Sequence, residues 1–191
     1  SVALLESLKI WAALPVDART AVYDMRIEGD AGAASTLHFS AWQQHVRELA
    51  WIVDAAALEA ELASALRYAP HVVLGAEPAA AALTVVAEGK ASATRDRFGV
   101  AFERHDYGQR AIAARLNASE PHQGLARQWF RAPDVLALLP IDRPQPGRGL
   151  ALVWSLPAER AEAMLALDDA AFEATLMEAT AGAAGELRLA S

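Results

Sequence analysis

What these 191 residues lack narrows the reading first. There is no cysteine, so the chain can build no disulfide framework, thiolate metal site or cysteine nucleophile; a reducing compartment such as the cytoplasm fits. No apolar run approaches the roughly 20 residues that a membrane-spanning helix needs. Aromatic residues make up only 7% of the chain, and the 17 Lys and Arg are outnumbered by 24 Asp and Glu, for a formal charge of −7. A phosphate-neutralising surface does not follow from that balance, so nucleic acid is not an expected partner. His38, His45, His71, His105 and His122 show no metal-ligand spacing and read as surface or locally bonded imidazoles. No Gly-x-Ser-x-Gly elbow occurs, and no catalytic acid or base stands out. The first residues, Ser1-Val2-Ala3-Leu4-Leu5-Glu6, carry neither a signal peptide nor an initiator Met and read as if they begin inside a helix.

What is present is a globular composition, 54% hydrophobic and 21% charged. Leu4, Leu5, Leu8, Trp11 and Leu14 form a helical stripe that Pro15 stops. Val22–Glu28 alternates as a half-buried strand does, and Gly29-Asp30-Ala31-Gly32 turns it into a second strand near Leu37–Phe39. Asp54 suits the N-cap of a helix to about Tyr68, with Leu58, Leu62 and Leu66 on one face. His71–Leu74 and Leu83–Ala87 read as short, wholly apolar strands of a layered sheet, joined by an Ala-rich loop after Pro78. Tyr107–Asn117, Leu125–Phe130, Val135–Leu139 and Leu150–Ser155 are successive strands of an antiparallel pattern. Pro157 opens a helix over Ala158–Leu167, Asp168 or Asp169 caps another over Ala170–Thr180, and Glu186–Leu189 forms a last strand. The acids between Glu159 and Glu173 read as solvated helix faces. Trp129 and Trp154 read as core.

Two characters are therefore interleaved, and the expected class is α+β with an α/β portion. Residues 1–19 and 49–97 read as part of an α/β layer. Residues 20–48 and 98–180 read as a mostly antiparallel sheet with helices, and residues 181–191 as the start of a return strand.

The stretch most charged with chemistry is Glu88-Gly89-x-x-Ser92-x-x-Arg95. A strand end delivers a carboxylate and a glycine to a helix start, where open α/β sheets bind ligands. Gly89 lets a ligand approach the backbone, helix-start N–H groups favour anionic oxygens, Glu88 can accept from hydroxyls and Arg95 can meet a phosphate. The bland alternative is an ordinary junction with Ser92 as a helix cap.

This run resembles the Asp-Gly-x-x-Ser-x-x-Arg motif of class A flavoprotein monooxygenases. Asp106-Tyr107-Gly108-Gln109-Arg110-Ala111, Leu136-Ala137-Leu138-Leu139-Pro140, Leu152-Val153-Trp154-Ser155-Leu156-Pro157 and Leu167-Asp168-Asp169-Ala170-Ala171-Phe172 resemble, in order, stretches of the ubiquinone-biosynthesis hydroxylases. The resemblance implies a p-hydroxybenzoate-hydroxylase-like fold: a substrate-side sheet plus part of an FAD-binding α/β layer. It also implies FAD and NAD(P)H as cofactors, with Glu88, Gly89, Ser92 and Arg95 at the cofactor edge. The substrate is then an aromatic small molecule, and a polyprenylated ring suits an apolar wall built with Leu138, Leu152 and Trp154. Peripheral membrane or biosynthetic-complex association of the intact protein follows from the same source.

Two departures qualify the expectation. Glu88 stands where the family has Asp, which lengthens the arm of the carboxylate. No Gly-x-Gly-x-x-Gly is present, nor the later Gly-Asp motif, so the chain reads as an internal fragment that is inactive alone and does not hold FAD tightly. The rival reading is a non-catalytic binding or scaffold module of a biosynthetic complex.

Overall fold

The computed structural model describes residues 1–30, 32–75 and 80–190. Ala31, within the expected hairpin turn, and residues 76–79, which include Pro78 of the expected Ala-rich loop, lie outside the described residues.

The chain opens with two short helices, α1 (Val2–Ser7) and α2 (Ile10–Ala13), in place of the single helix expected, because Lys9 adopts a left-handed conformation (φ 62°) between them. After a 3-10 turn come β1 (Arg19–Val22), β2 (Asp24–Gly29), β3 (Gly32–Ser40) and β4 (Ala50–Val53). The long helix α3 (Ala55–Arg67) starts where Asp54 accepts a 2.9 Å hydrogen bond from the Ala57 amide, as its N-cap position requires. Then follow α4 (Ala93–Arg97), β5 (Gln109–Ala118), β6 (Leu125–Arg131), β7 (Asp134–Ile141), β8 (Gly149–Pro157), α5 (Ala158–Leu165), α6 (Asp169–Ala179) and β9 (Leu187–Leu189).

Seven strands form one sheet in the order β3-β2-β6-β7-β8-β5-β9, and β1 pairs β4 in a separate ribbon. Every pair in the large sheet is antiparallel except β2–β6, so the class is α+β with a mostly antiparallel sheet. The expected strand Val22–Glu28 is split: β1 ends at Val22 and joins the ribbon, while β2 joins the large sheet. Gly124, before β6, makes the crossing possible. Its amide donates to His122 Nδ1 at 3.0 Å and its φ is +70°. A Cβ there would stand 2.6 Å from the Tyr23 ring.

The core follows from strict alternation. Leu150, Leu152, Trp154 and Leu156 of β8 point to one face and pack with Ala161 and Met164 of α5 and with Phe172 and Leu176 of α6. Leu136 and Leu138 of β7 and Ile112 and Leu116 of β5 join them in that cluster. The ribbon is tied to the sheet by charge. Asp54 accepts from Arg115 of β5 at 2.8 Å, and Arg143 grips Asp17 through two 2.9 Å hydrogen bonds.

The two apolar strands expected at His71–Leu74 and Leu83–Ala87 are not formed, a correction to the α/β portion. A strand apolar on both faces needs a neighbour on each edge and a layer on each side. The described residues offer neither, and Leu83 and Val85 are largely exposed. Among the described residues no helix is long and apolar enough to cross a membrane.

The expectation that Glu173 is solvated is also corrected: it is buried. It accepts from Arg188 at 2.7 Å and from the Leu189 amide at 2.8 Å, clamping β9 to α6. The Arg188 hydrogen bond, then that amide, hold its carboxyl below the ordinary glutamate value. A lowered folded-state pKa means that the clamp contributes fully above the unfolded value of about 4.3 and is lost as pH falls through the folded value. We expect the hydrogen-exchange protection of the Leu189 amide to fall as pH drops below about 4, and Glu173→Gln to abolish that dependence. Protection that is flat with pH in the native chain contradicts this.

Candidate functional site

The Glu88–Arg95 segment is a turn folded upon itself. Glu88 accepts from Ser92 Oγ at 2.7 Å and from the Thr94 amide at 3.2 Å, and also from the Thr94 hydroxyl. Ser92 Oγ in turn accepts from the Arg95 amide at 3.1 Å, the N-cap bond of α4. The extra methylene of Glu88 is what lets the carboxylate reach forward over the first helical turn. Its carboxyl is held below the usual glutamate range, foremost by the Thr94 hydroxyl and next by Ser92. Arg95 lies over the Phe102 ring, its guanidinium carbon 4.1 Å from the centroid, and reaches the Lys90 carbonyl at 3.4 Å. Gly89 has φ +73° with open space where a side chain would be. All four residues line one open cleft of about 530 Å³ with Val86, Phe98 and Val100. The sequence thus places the four together, and the cap predicted for Ser92 is present.

That arrangement does not fit a flavin pyrophosphate as it stands. The Thr94 and Arg95 amides, which would face an anion, are taken by Glu88 and Ser92, and the Arg95 guanidinium is turned onto an aromatic ring. Gly89, with open space beside it, leaves the backbone approachable there.

Leu138, Leu152 and Trp154 lie together, each 1% exposed, in the core under α5 and α6. Of the three, Trp154 alone borders an opening. The residues between them take the other face of the sheet. Ala137 pairs with Val153 and Val153 with Ala113, while Val135 pairs with Ser155 and Ser155 with Ala111. Among the described residues this face carries no helix. Val153 is 41% and Phe130 44% exposed, and Leu37 and Phe39 continue the apolar surface outward on β3. The β1–β4 ribbon meets it at the Ile141–Ala151 end, where Asp54, Arg115 and Arg143 surround a cleft of about 130 Å³. The arrangement is an apolar wall, small at its centre at Ala113, Ala137 and Val153, with larger side chains toward β3 and a charged corner at the ribbon. Its signal is visible in Leu150-Ala151-Leu152-Val153-Trp154-Ser155-Leu156: every large residue is in one phase and every small one in the other.

The self-capped turn makes a direct prediction. Ser92→Ala removes the α4 cap at a cost of about 1 kcal/mol and should speed hydrogen exchange of the Arg95 amide about fivefold. An unchanged rate would mean that Ser92 does not hold the turn.

Comparison with known proteins bears on the same regions. No protein-family model matches the chain. A ubiquinone hydroxylase, UbiL of Rhodospirillum rubrum, is 32% identical over 96 residues, which are 50% of this chain and 21% of that protein. Crystal structures of PqsL from Pseudomonas aeruginosa, described as a probable FAD-dependent monooxygenase, superpose with a TM-score of 0.71 at 14% identity; one of them holds 2-aminobenzoylacetate. The superposition covers 100% of this chain and 60% of PqsL, so the chain spans less than two thirds of either relative. The chain is thus similar in sequence to a ubiquinone hydroxylase and carries the PqsL fold along its whole length, and on these two findings its resemblance to the class A flavoprotein monooxygenases stands.

Proposed function

We propose that this chain is the substrate-side part of a monooxygenase that hydroxylates an aromatic ring with FAD and NAD(P)H, in ubiquinone biosynthesis. The observation that supports the reading is the face of the sheet that carries no helix among the described residues. On a fold shared with PqsL, a wall of Ala113, Ala137 and Val153 lies open while the opposite face is sealed by α5 and α6. An aromatic ring lies flat on such a wall, and side chains this small leave room for an apolar tail. Leu138, Leu152 and Trp154 act from behind, as the packed layer that keeps the wall rigid. Residues 20–48 and 98–180 are then the substrate domain, 1–19 and 49–97 the portion belonging to the FAD layer, and 181–191 the start of a return strand. The Glu88–Arg95 turn borders the cofactor but does not hold it alone. Hydroxylation therefore needs the rest of the protein, and this chain alone is inactive. A polyprenylated substrate would bring the intact protein to a membrane surface or into a biosynthetic complex.

The test uses the full-length protein from the native gene. It should be yellow, show flavin absorption and oxidise NAD(P)H faster when an aromatic substrate is added. Val153→Trp, which crowds the wall without touching the core, should raise KM at least about tenfold with little loss of bound flavin. A colourless full-length protein overturns the reading and favours a non-catalytic module; a KM unmoved by Val153→Trp removes the wall.

A further inference from the structure

The register of the large sheet lines up one row of side chains across six strands of the open face. Leu37, Ile27, Gln128, Ala137, Val153 and Ala113 are successive partners from β3 to β5. Five of them are apolar; Gln128, in the middle of β6, is not. Its surroundings give it no partner. Ala126 and Phe130 share its face along β6, and Ile27 and Ala137 flank it across the sheet. Two other polar side chains of this face are already engaged: Ser155 donates to Gln109 Oε1 at 2.9 Å, and Arg115 to Asp54 at 2.8 Å. Gln128 is half-buried, and among the described residues its carboxamide makes no hydrogen bond. Its oxygen and nitrogen both keep accessible surface.

We propose that Gln128 is a specificity-determining residue of the wall and that it reads a hydroxyl on the aromatic ring. The inference rests on the reading of the wall as the substrate face. In the uncovered wall, water satisfies the carboxamide. A ring lying on Ala137 and Val153 drives that water away, and a carboxamide left dry and unpaired then counts against the ring. Ala137 is one strand from Gln128 and Val153 is two, or about 5 Å and about 10 Å along the sheet. A substituent on the β6 edge of the ring therefore comes within reach of the carboxamide. A phenolic hydroxyl suits it, donating to Oε1 or accepting from Nε2. A methyl group in the same place can do neither. The row carries no charge, so nothing on it offsets the desolvation of a carboxylate, and a neutral hydroxyl is preferred.

The test compares phenol with toluene, which has a methyl group in place of the hydroxyl. Binding to the full-length protein is read from the perturbation of its flavin spectrum. In the native protein phenol should bind more tightly than toluene. Gln128→Met, of similar size but with no hydrogen bond to offer, should lower the ratio of toluene to phenol dissociation constants at least about tenfold. Bound flavin should stay the same. An unchanged ratio overturns the proposal and leaves the wall standing, as does equal weakening of both probes, the mark of a packing role. A yellow protein that binds neither probe also overturns it. Should Gln128→Met lose its flavin, the native protein decides: toluene bound as tightly as phenol overturns the proposal, and a clear preference for phenol upholds it. A colourless full-length protein ends the reading of the wall and this inference with it, so the two failures stay distinct.

Discussion

The structure depends on the phase of side chains along β7, β8 and β5. Leu150, Leu152, Trp154 and Leu156 all fall on one side of β8, and α5 and α6 close over them. Each such side chain contributes roughly 1.5–3 kcal/mol on burial, and a one-residue slip would turn the whole set to solvent. The register of β8 with both neighbours is therefore fixed, and with it everything on the opposite face. Ala113 and Val153 are exposed, with Ala137 half-buried between their neighbours, because Leu152 and Trp154 are buried together. The wall is the reverse side of the core.

Charge does a different task. Asp54 caps α3 and pairs with Arg115, so one carboxylate joins the ribbon, the long helix and the sheet. Its carboxyl is held below the ordinary aspartate value, first by the Ala57 amide and then by Arg115, as expected of a group with two structural duties. Glu173 clamps β9 in the same manner. Glu88 also spends its carboxylate internally, but it does so at a position that sequence resemblance assigns to cofactor contact. The hydrogen bonds that hold the turn also occupy the amides a phosphate would meet.

The sheet was legible from the sequence because its signals are local. Alternation gave β5 to β8 within a few residues, Pro157 and Asp168 marked α5 and α6, and Asp54 and Ser92 took the caps their side chains suit. The failures at Leu83–Ala87 and Glu173 share one cause, dependence on partners distant in sequence, whereas the first helix is broken locally by the left-handed Lys9. Leu83–Ala87 has the composition of a buried strand, but no neighbouring strand pairs with it among the described residues. Glu173 reads as one more helix-surface acid until β9 returns with Arg188. In choosing wall residues, size drew attention to Leu138, Leu152 and Trp154, which the structure packs in the core while the small residues between them take the other face. The phase was in the sequence, but which phase faced the helices required α5 and α6 in place.

Because the chain has no cysteine, that phase can be measured one residue at a time. Single cysteines at Ala113, Ala137 and Val153, and in separate variants at Leu138 and Leu152, can be challenged with a thiol reagent under native conditions. If the sheet has one helix-covered face and one open wall, Ala113 and Val153 react at rates near those of an unfolded peptide and half-buried Ala137 somewhat more slowly. The other two then react only as fast as the chain unfolds. Equal rates in the two sets, or faster reaction at Leu138 and Leu152, would contradict the account.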